Sequence, residues 1–301
     1  MPASVVLKRL FFALVSSVED TLTNTIVFVL DFLLTLYNRV TPDRPAGRVV
    51  QAGHPGYGGQ WPQYTPPREG DSRCSCPALN AMANHGLIPR DGKNIRFSDL
   101  SGAIRRVFNF APTFCFFVPR YIATSLTRNY RTDRFDLSDI DAHNCIEHDA
   151  SLIRVDSYHD PNQGKLAHTL IDEVLSCGTG PEGNLTPADL SRLLGKRRVE
   201  AKQRNPSYSS AFVHKMFGSA NASTLLTIYG GRMEDIEPLL REERIPDGWE
   251  SRVRHRMGLT MLEFNNTVLP VELNIKEEVD GSFASAGQER YAEAVDGKKD
   301  D

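Results

Sequence analysis

Two short stretches carry residue types from which chemistry could be built. The first is Cys76-Pro77, followed by Ala78-Leu79-Asn80-Ala81-Met82-Ala83-Asn84. Proline is well tolerated in the first turn of a helix, so this spacing predicts a short helix that opens at Cys76 and ends near Gly86. A sulfur at such an opening can receive N–H groups from the first turn and feel the positive end of the helix dipole, and both favour thiolate. A thiolate suits a soft metal or heme iron, where its electron donation promotes cleavage of an O–O bond. On the dipeptide alone, a buried structural cysteine is the commoner reading. The second stretch is Glu147-His148-Asp149-Ala150-Ser151. A carboxylate, a backbone carbonyl and a hydroxyl offered within one turn are the oxygen ligands that magnesium and manganese prefer. The bland reading is a surface acidic turn around a half-buried histidine.

The elements that would position these groups read as helices. Leu100 to Phe108 has helical spacing with Ser98 as a cap, and Cys145 to Arg154 keeps Ile146, Ala150 and Ile153 on one face. Thr186-Pro187-Ala188-Asp189 is a capping signal for a helix through Leu190, Leu193 and Leu194. Further helices are expected over Ala211 to Tyr229, bent or interrupted at Gly218, over Asp235 to Arg241 and over Trp249 to Phe264. Val268 to Leu273 is the best short extended piece, too little for a sheet core. The expected fold is therefore all-α.

The expected organisation is one helical domain over 74–275, preceded by an extended, Pro/Gly-rich connector over 41–73 with Trp61 and Tyr64 as packing anchors. Residues 276–301 read as a charged tail. The first forty residues hold two apolar stretches, Val5 to Val15 and Thr25 to Tyr37, parted by Ser16-Ser17-Val18-Glu19-Asp20. Neither alone reaches the roughly 20 apolar residues of a span. Val27, Leu30, Leu34 and Tyr37, widened by Phe28 and Phe32, fit an amphipathic helix on a membrane face; a helix packed on the protein's own core fits as well, and a marginal span that tolerates Asp31 comes third. At 301 residues with a net charge of -3, the chain has no basic field to recruit nucleic acid. Five cysteines cannot all pair, and Cys74-Ser75-Cys76 is too tight for a CxxC site, so one special thiol among inert ones is the better reading.

The string Cys76 to Asn84-His85-Gly86 resembles the proximal signature of the fungal heme-thiolate family of chloroperoxidases and unspecific peroxygenases, with Ser75 where proline is usual. Glu147-His148-Asp149-Ala150-Ser151-Leu152 with Arg154 is similar to the family's second motif, about seventy residues later. The resemblance implies heme b with Cys76 as the iron ligand. It also implies a Mg2+ or Mn2+ ion near a heme propionate, held by Glu147, the His148 backbone and Ser151. Asp149 would cap or pair with Arg154. His85 gains no chemical role.

Peroxide chemistry further needs a distal group that moves a proton. The resemblance makes His148 that group, beside a glutamate on a later helix. The matching segment here, Asn205 to Arg232, holds no carboxylate. His148 acting alone or with Ser219 or Asn221, or a carboxylate from another element, would fill the gap. The expected substrates are hydrogen peroxide and a lipophilic, polyketide-like aromatic, in the manner of the intracellular members of fungal secondary metabolism. The expected location is therefore intracellular, at the endoplasmic reticulum or another membrane surface. Phe108, Phe110, Phe114, Phe116 and Phe117 read as core first and as a substrate channel second. The rival reading is a binding protein that has lost peroxide cleavage.

Overall fold

The computed structural model describes residues 3–277, with side chains from Glu19 onward. The expected charged tail lies almost wholly outside the described residues. Nine α-helices are described: α1 Ala3–Val40, α2 Pro77–Asn84, α3 Phe97–Phe108, α4 Pro112–Ser125, α5 His168–Ser176, α6 Pro187–Arg204, α7 Phe212–Thr227, α8 Met233–Glu242 and α9 Met261–Leu273. The described strands are β1 Ile95–Arg96 and β2 Arg134–Phe135, antiparallel with Ile95 opposite Phe135. The fold is all-α.

The core gathers where α2, α3, α6, α7, α8 and α9 meet, around Met82, Phe97, Leu100, Leu190, Leu194, Ile236 and Val271. Between α1 and α2 the chain holds one three-residue 3-10 turn, Tyr57–Gly59. Trp61 and Tyr64 anchor it: the Trp61 indole donates to the Trp249 carbonyl at 2.8 Å and the Tyr64 hydroxyl to the Glu242 carbonyl at 2.9 Å. His85 is a strut on the same seam. It accepts from the Ile245 N–H on Nε2, so its Nδ1 carries the proton and donates to the Pro62 carbonyl at 2.6 Å.

Several elements differ from expectation, each for a physical reason. The apolar stretches of the N-terminus form one helix through Ser16 and Ser17, because neither serine breaks a helix as glycine or proline would. The segment Cys145 to Arg154 is an irregular loop. Asn144 and Ala150 take left-handed backbone angles, and the Ala150 N–H is claimed by Asp156 Oδ1 at 2.8 Å. An amphipathic helix needs a wet polar face, and here Glu147, His148, Asp149 and Arg154 are all buried. Residues 249–260 are not helical. Gly258 has φ +88°, and a side chain there would meet the Asn109 and Phe110 carbonyls. The helix starts instead at Met261, where Thr260 and Glu263 form a reciprocal cap. Val268 to Leu273 is the end of that helix, with Phe264, Val268 and Val271 on its buried face at spacings of four and three. The cap of α3 is Arg96 rather than Ser98, and α7 runs unbroken through Gly218.

Candidate active site

Cys76 stands at the N-cap of α2 with extended backbone. The N–H groups of Ala78 and Leu79 point at its sulfur. Burial raises the thiol pKa above its ordinary value, while those two N–H groups and the nearby Arg154 guanidinium oppose the rise. The residue as a whole is half-buried and packs against the core. The Tyr229 ring is stacked on Trp249 at 4.9 Å, and its hydroxyl lies buried without a hydrogen-bond partner among the described residues. Burial first, and the Cys76 charge next, push that phenol's pKa upward.

The turn that presents Cys76 is held from four sides. Asn80 on α2 reaches back: its Nδ2 donates to the Cys74 carbonyl at 2.7 Å and its Oδ1 accepts the Cys74 N–H at 3.0 Å. Ser75 donates its N–H to Asp141 Oδ1 at 2.8 Å. A proline at position 75 would have no N–H to give, so the departure from the family pattern is used to tie the turn to the Leu137–Asp141 3-10 helix. Arg154, 2% exposed, donates to the Ser75 carbonyl at 3.1 Å and to Glu243 Oε1 at 2.6 Å. Glu243 Oε1 also accepts from Asn80 at 2.8 Å. Glu243 lies at the C-cap of α8 in a left-handed conformation, so a helix end delivers the carboxylate. Burial raises its pKa, with Arg154 pulling the other way. Arg154 therefore pairs with Glu243 and not with Asp149. Asp149 instead accepts from the Asn205 side chain at 3.1 Å and the Ser209 N–H at 2.9 Å, locking the loop to the end of α6.

The second constellation surrounds His148. Its Nδ1 is 2.9 Å from the Asp149 carbonyl, which can only accept, so Nδ1 bears the proton and Nε2 is left as the basic nitrogen. Burial depresses the pKa and favours the neutral ring, with the Asp149 carbonyl opposing and His214 and Arg198 assisting. The ring lies against α7 at Gly218, where a β-carbon would sit 3.1 Å from Cε1. The next residue, Ser219, is fully buried and donates to Glu272 Oε2 at 2.5 Å. Glu272 in turn holds Arg198 through both oxygens, at 2.9 and 2.6 Å. A carboxylate from another element thus reaches the α7 helix that lacks one, arriving from α9. Asn221 does not join it. Two residues along a helix turn the side chain by about 200°, which puts Asn221 on the exposed side of α7.

Glu147 is the third feature. His143 Nδ1 donates to its Oε2 at 2.7 Å, whereas Oε1 is buried with no partner among the described residues. Burial raises this carboxyl's pKa. No cluster of three or more His, Cys, Asp or Glu side chains with metal-binding geometry occurs among the described residues. Of the phenylalanines, Phe108 and Phe110 are buried core residues, while Phe114, Phe116 and Phe117 on α4 keep partial exposure.

Residues 62–254 match the family model described as "Peroxidase, family 2". The chain belongs to that family. An aromatic peroxygenase of Coprinellus radians is 25% identical over 225 residues, covering 65% of this chain and 85% of the relative. A chloroperoxidase of Leptoxyphium fumago is 36% identical over 100 residues, 31% of this chain and 26% of the relative. A dothistromin biosynthesis peroxidase of Dothistroma septosporum is 26% identical over 223 residues, 61% of this chain and 53% of the relative. This chain therefore spans about half or less of the latter two. The peroxidase family 2 match contains Cys76, the Glu147 to Arg154 loop and α7, but ends before Glu272 and begins after α1. Glu243, Arg198 and Glu272 were not visible as site residues from sequence. No local signal marks an acidic residue that acts on a helix far away in the chain.

Proposed function

We propose that this family 2 peroxidase binds heme b through the Cys76 thiolate and uses hydrogen peroxide to oxidise or hydroxylate a lipophilic aromatic, polyketide-like molecule. The observation that carries this reading is the Cys76 thiol itself: set at the start of α2, with two N–H groups turned toward it and a buried arginine close by. That donor set fits a ligand that must be an anion when bound, since coordination deprotonates a thiol outright. Heme held there would supply the oxidising chemistry, with the thiolate promoting O–O cleavage.

The chain's own residues would handle the proton. His148 Nε2, neutral and without a hydrogen-bond partner among the described residues, accepts the hydroperoxide proton and returns it to the departing oxygen, which leaves as water. Gly218 leaves room for the Cε1 end of the ring against α7. Glu272 is engaged by Arg198 and Ser219, so it serves as a fixed charge that orders these two beside the histidine. Glu147, with the His148 carbonyl and the Ser151 hydroxyl, is the holder we assign to Mg2+ or Mn2+. The buried, unpartnered Oε1 supports that assignment, because an isolated carboxylate oxygen is costly without a donor or a cation. A second reading, a binding protein without peroxide turnover, is favoured by the absence of a free carboxylate on α7.

The test is the absorption spectrum of the reduced carbon monoxide complex beside a Cys76→Ala control, followed by peroxide turnover. A thiolate-type Soret band that vanishes in the variant is expected. Heme uptake that is unchanged in Cys76→Ala would overturn the ligand assignment, and a normal band without turnover on any aromatic would select the binding protein.

A further inference from the structure

α1 is an amphipathic helix turned inside out. The side chains it buries against α4 and α9 are mostly polar: Val27, Asp31, Thr35 and Asn38, four or three residues apart. Asp31, 2% exposed, accepts the Met261 and Leu262 N–H groups at 3.1 and 3.0 Å and the Thr113 hydroxyl at 2.5 Å. It therefore caps α9 from outside that helix. Thr35 meets Thr260 at 2.7 Å, and Asn38 donates to the Gly258 carbonyl at 2.9 Å. The outward stripe is the apolar one. Leu22, Ile26, Val29, Leu33, Leu36 and Val40 are between 43% and 81% exposed. Phe28, Leu30, Phe32 and Tyr37 widen it, and Leu262 beside Asp31 extends it onto α9.

Beyond the end of this helix lies a cationic cavity. About 340 Å³ in volume, it is lined by Arg44, Pro45, Arg48, Gln51 and Arg256. Arg44 is four residues past Val40, so at most about 14 Å of chain separates it from the apolar stripe. Arg44 is partly buried, its Nε has no partner, and Arg105 and Arg256 stand close enough to lower its pKa after burial does. Among the described residues, none of these four arginines is ion-paired with a carboxylate. The neighbouring acid Glu263 is taken by His255, Asn38 and Thr260. Arg44 donates to the Val49 and Arg256 carbonyls at 3.2 and 3.0 Å and Arg48 to the Tyr57 hydroxyl, so among the described residues the cluster is held by neutral acceptors only.

We propose that the outward face of α1 is seated in the interface of an anionic bilayer, with the Arg44, Arg48 and Arg256 cavity taking a lipid phosphate at its edge. Glu19–Val40 is long and apolar enough to cross a membrane. Its inner face is instead fastened to the domain from Val27 to Asn38, so it lies along the surface rather than through it. A second copy is the rival occupant, since the stripe repeats every three or four residues. A coiled-coil seam, however, is flanked by charged positions, and here the flanks are Phe28, Leu30, Phe32 and Tyr37. A bilayer matches both the width of the apolar face and the charge at its end.

The test is co-flotation of the full chain with phosphatidylcholine vesicles, with or without phosphatidylserine. Preferential binding to the anionic vesicles is expected, weakening as salt rises. Leu33→Glu should abolish binding with helix content unchanged; Val29→Glu repeats the test should that variant misfold. Arg44→Gln and Arg48→Gln should each weaken binding to anionic vesicles about fivefold, without affecting neutral ones. No flotation with either vesicle would overturn the proposal, as would a dimer that Leu33→Glu dissociates. Selective displacement by inorganic phosphate, beyond chloride of equal ionic strength, would overturn the lipid assignment and give the cavity to a soluble anion.

Discussion

The Cys76 side and the His148 side of the candidate site are built in opposite ways. At Cys76 the functional atom and its nearest donors come from consecutive residues, 76 to 80, and distant groups only brace the turn. At His148 the imidazole, the glycine it lies against, the serine and the carboxylate come from a loop, α7 and α9, with Arg198 of α6 closing the set. A thiolate can be specified by a helix start, whereas a proton-transfer site must be assembled by packing. This contrast also explains how a carboxylate absent from α7 can be supplied by Glu272 at the far end of the domain.

The largest effect should come from removing the brace at Cys76. Arg154→Met leaves Glu243 buried without its cation and two carbonyls without a donor, a loss of about 3–5 kcal/mol in urea unfolding. A loss under about 1 kcal/mol would mean that the Cys76 turn stands without distant help.

On the other side, His148→Gln should lower the peroxide reaction about 10²- to 10⁴-fold with the heme spectrum unchanged. The same histidine sets a pH limb. Because burial lowers its pKa in the folded protein, the neutral ring and its share of stability are fully present above the unfolded value of about 6.5. Both are lost as pH falls below that value through the folded pKa. Peroxide-reaction rates across this range check the direction: the low-pH limb should lie on the acid side of an ordinary histidine and vanish in the Gln variant.

Gly218→Ala should cost about 1–3 kcal/mol, since the added methyl lands within 3.1 Å of the His148 ring. The displaced ring should slow peroxide turnover more than it changes substrate binding, which a kcat against KM comparison would separate. The smallest effect belongs to Asn221→Ala. On the exposed side of α7, it should change stability by no more than about 0.5 kcal/mol and leave turnover intact. A large loss there would break the assignment of the inner face of α7 to the site.

Much of the fold was legible because its signals are local. Pro77 and Gly86 bound α2, Thr186 and Asp189 open α6, and the apolar spacing of α3 and α8 marks their buried faces. The loop from Cys145 to Arg154 misled because apolar spacing at Ile146, Ala150 and Ile153 imitates a helix. The polar groups between them are satisfied by partners that lie elsewhere in sequence, such as Asn205, Ser209 and Glu243. The end of α9 misled because Val268 and Val271 flank Pro270, which reads as extended, yet the proline is accommodated within the helix.

By itself, the sequence determined the all-α class and the placement of a thiol at a helix start, and it marked Glu147-His148-Asp149 as a second motif without fixing its conformation. These follow from capping, periodicity and motif, which act over a few residues. Only the tertiary structure decided which carboxylate meets Ser219, which acid pairs with Arg154 and which face of α1 is turned outward. Those choices depend on satisfying buried polar groups across distant elements. An Asp31 that reads as a flaw in an apolar helix becomes the cap of another helix once the two are packed.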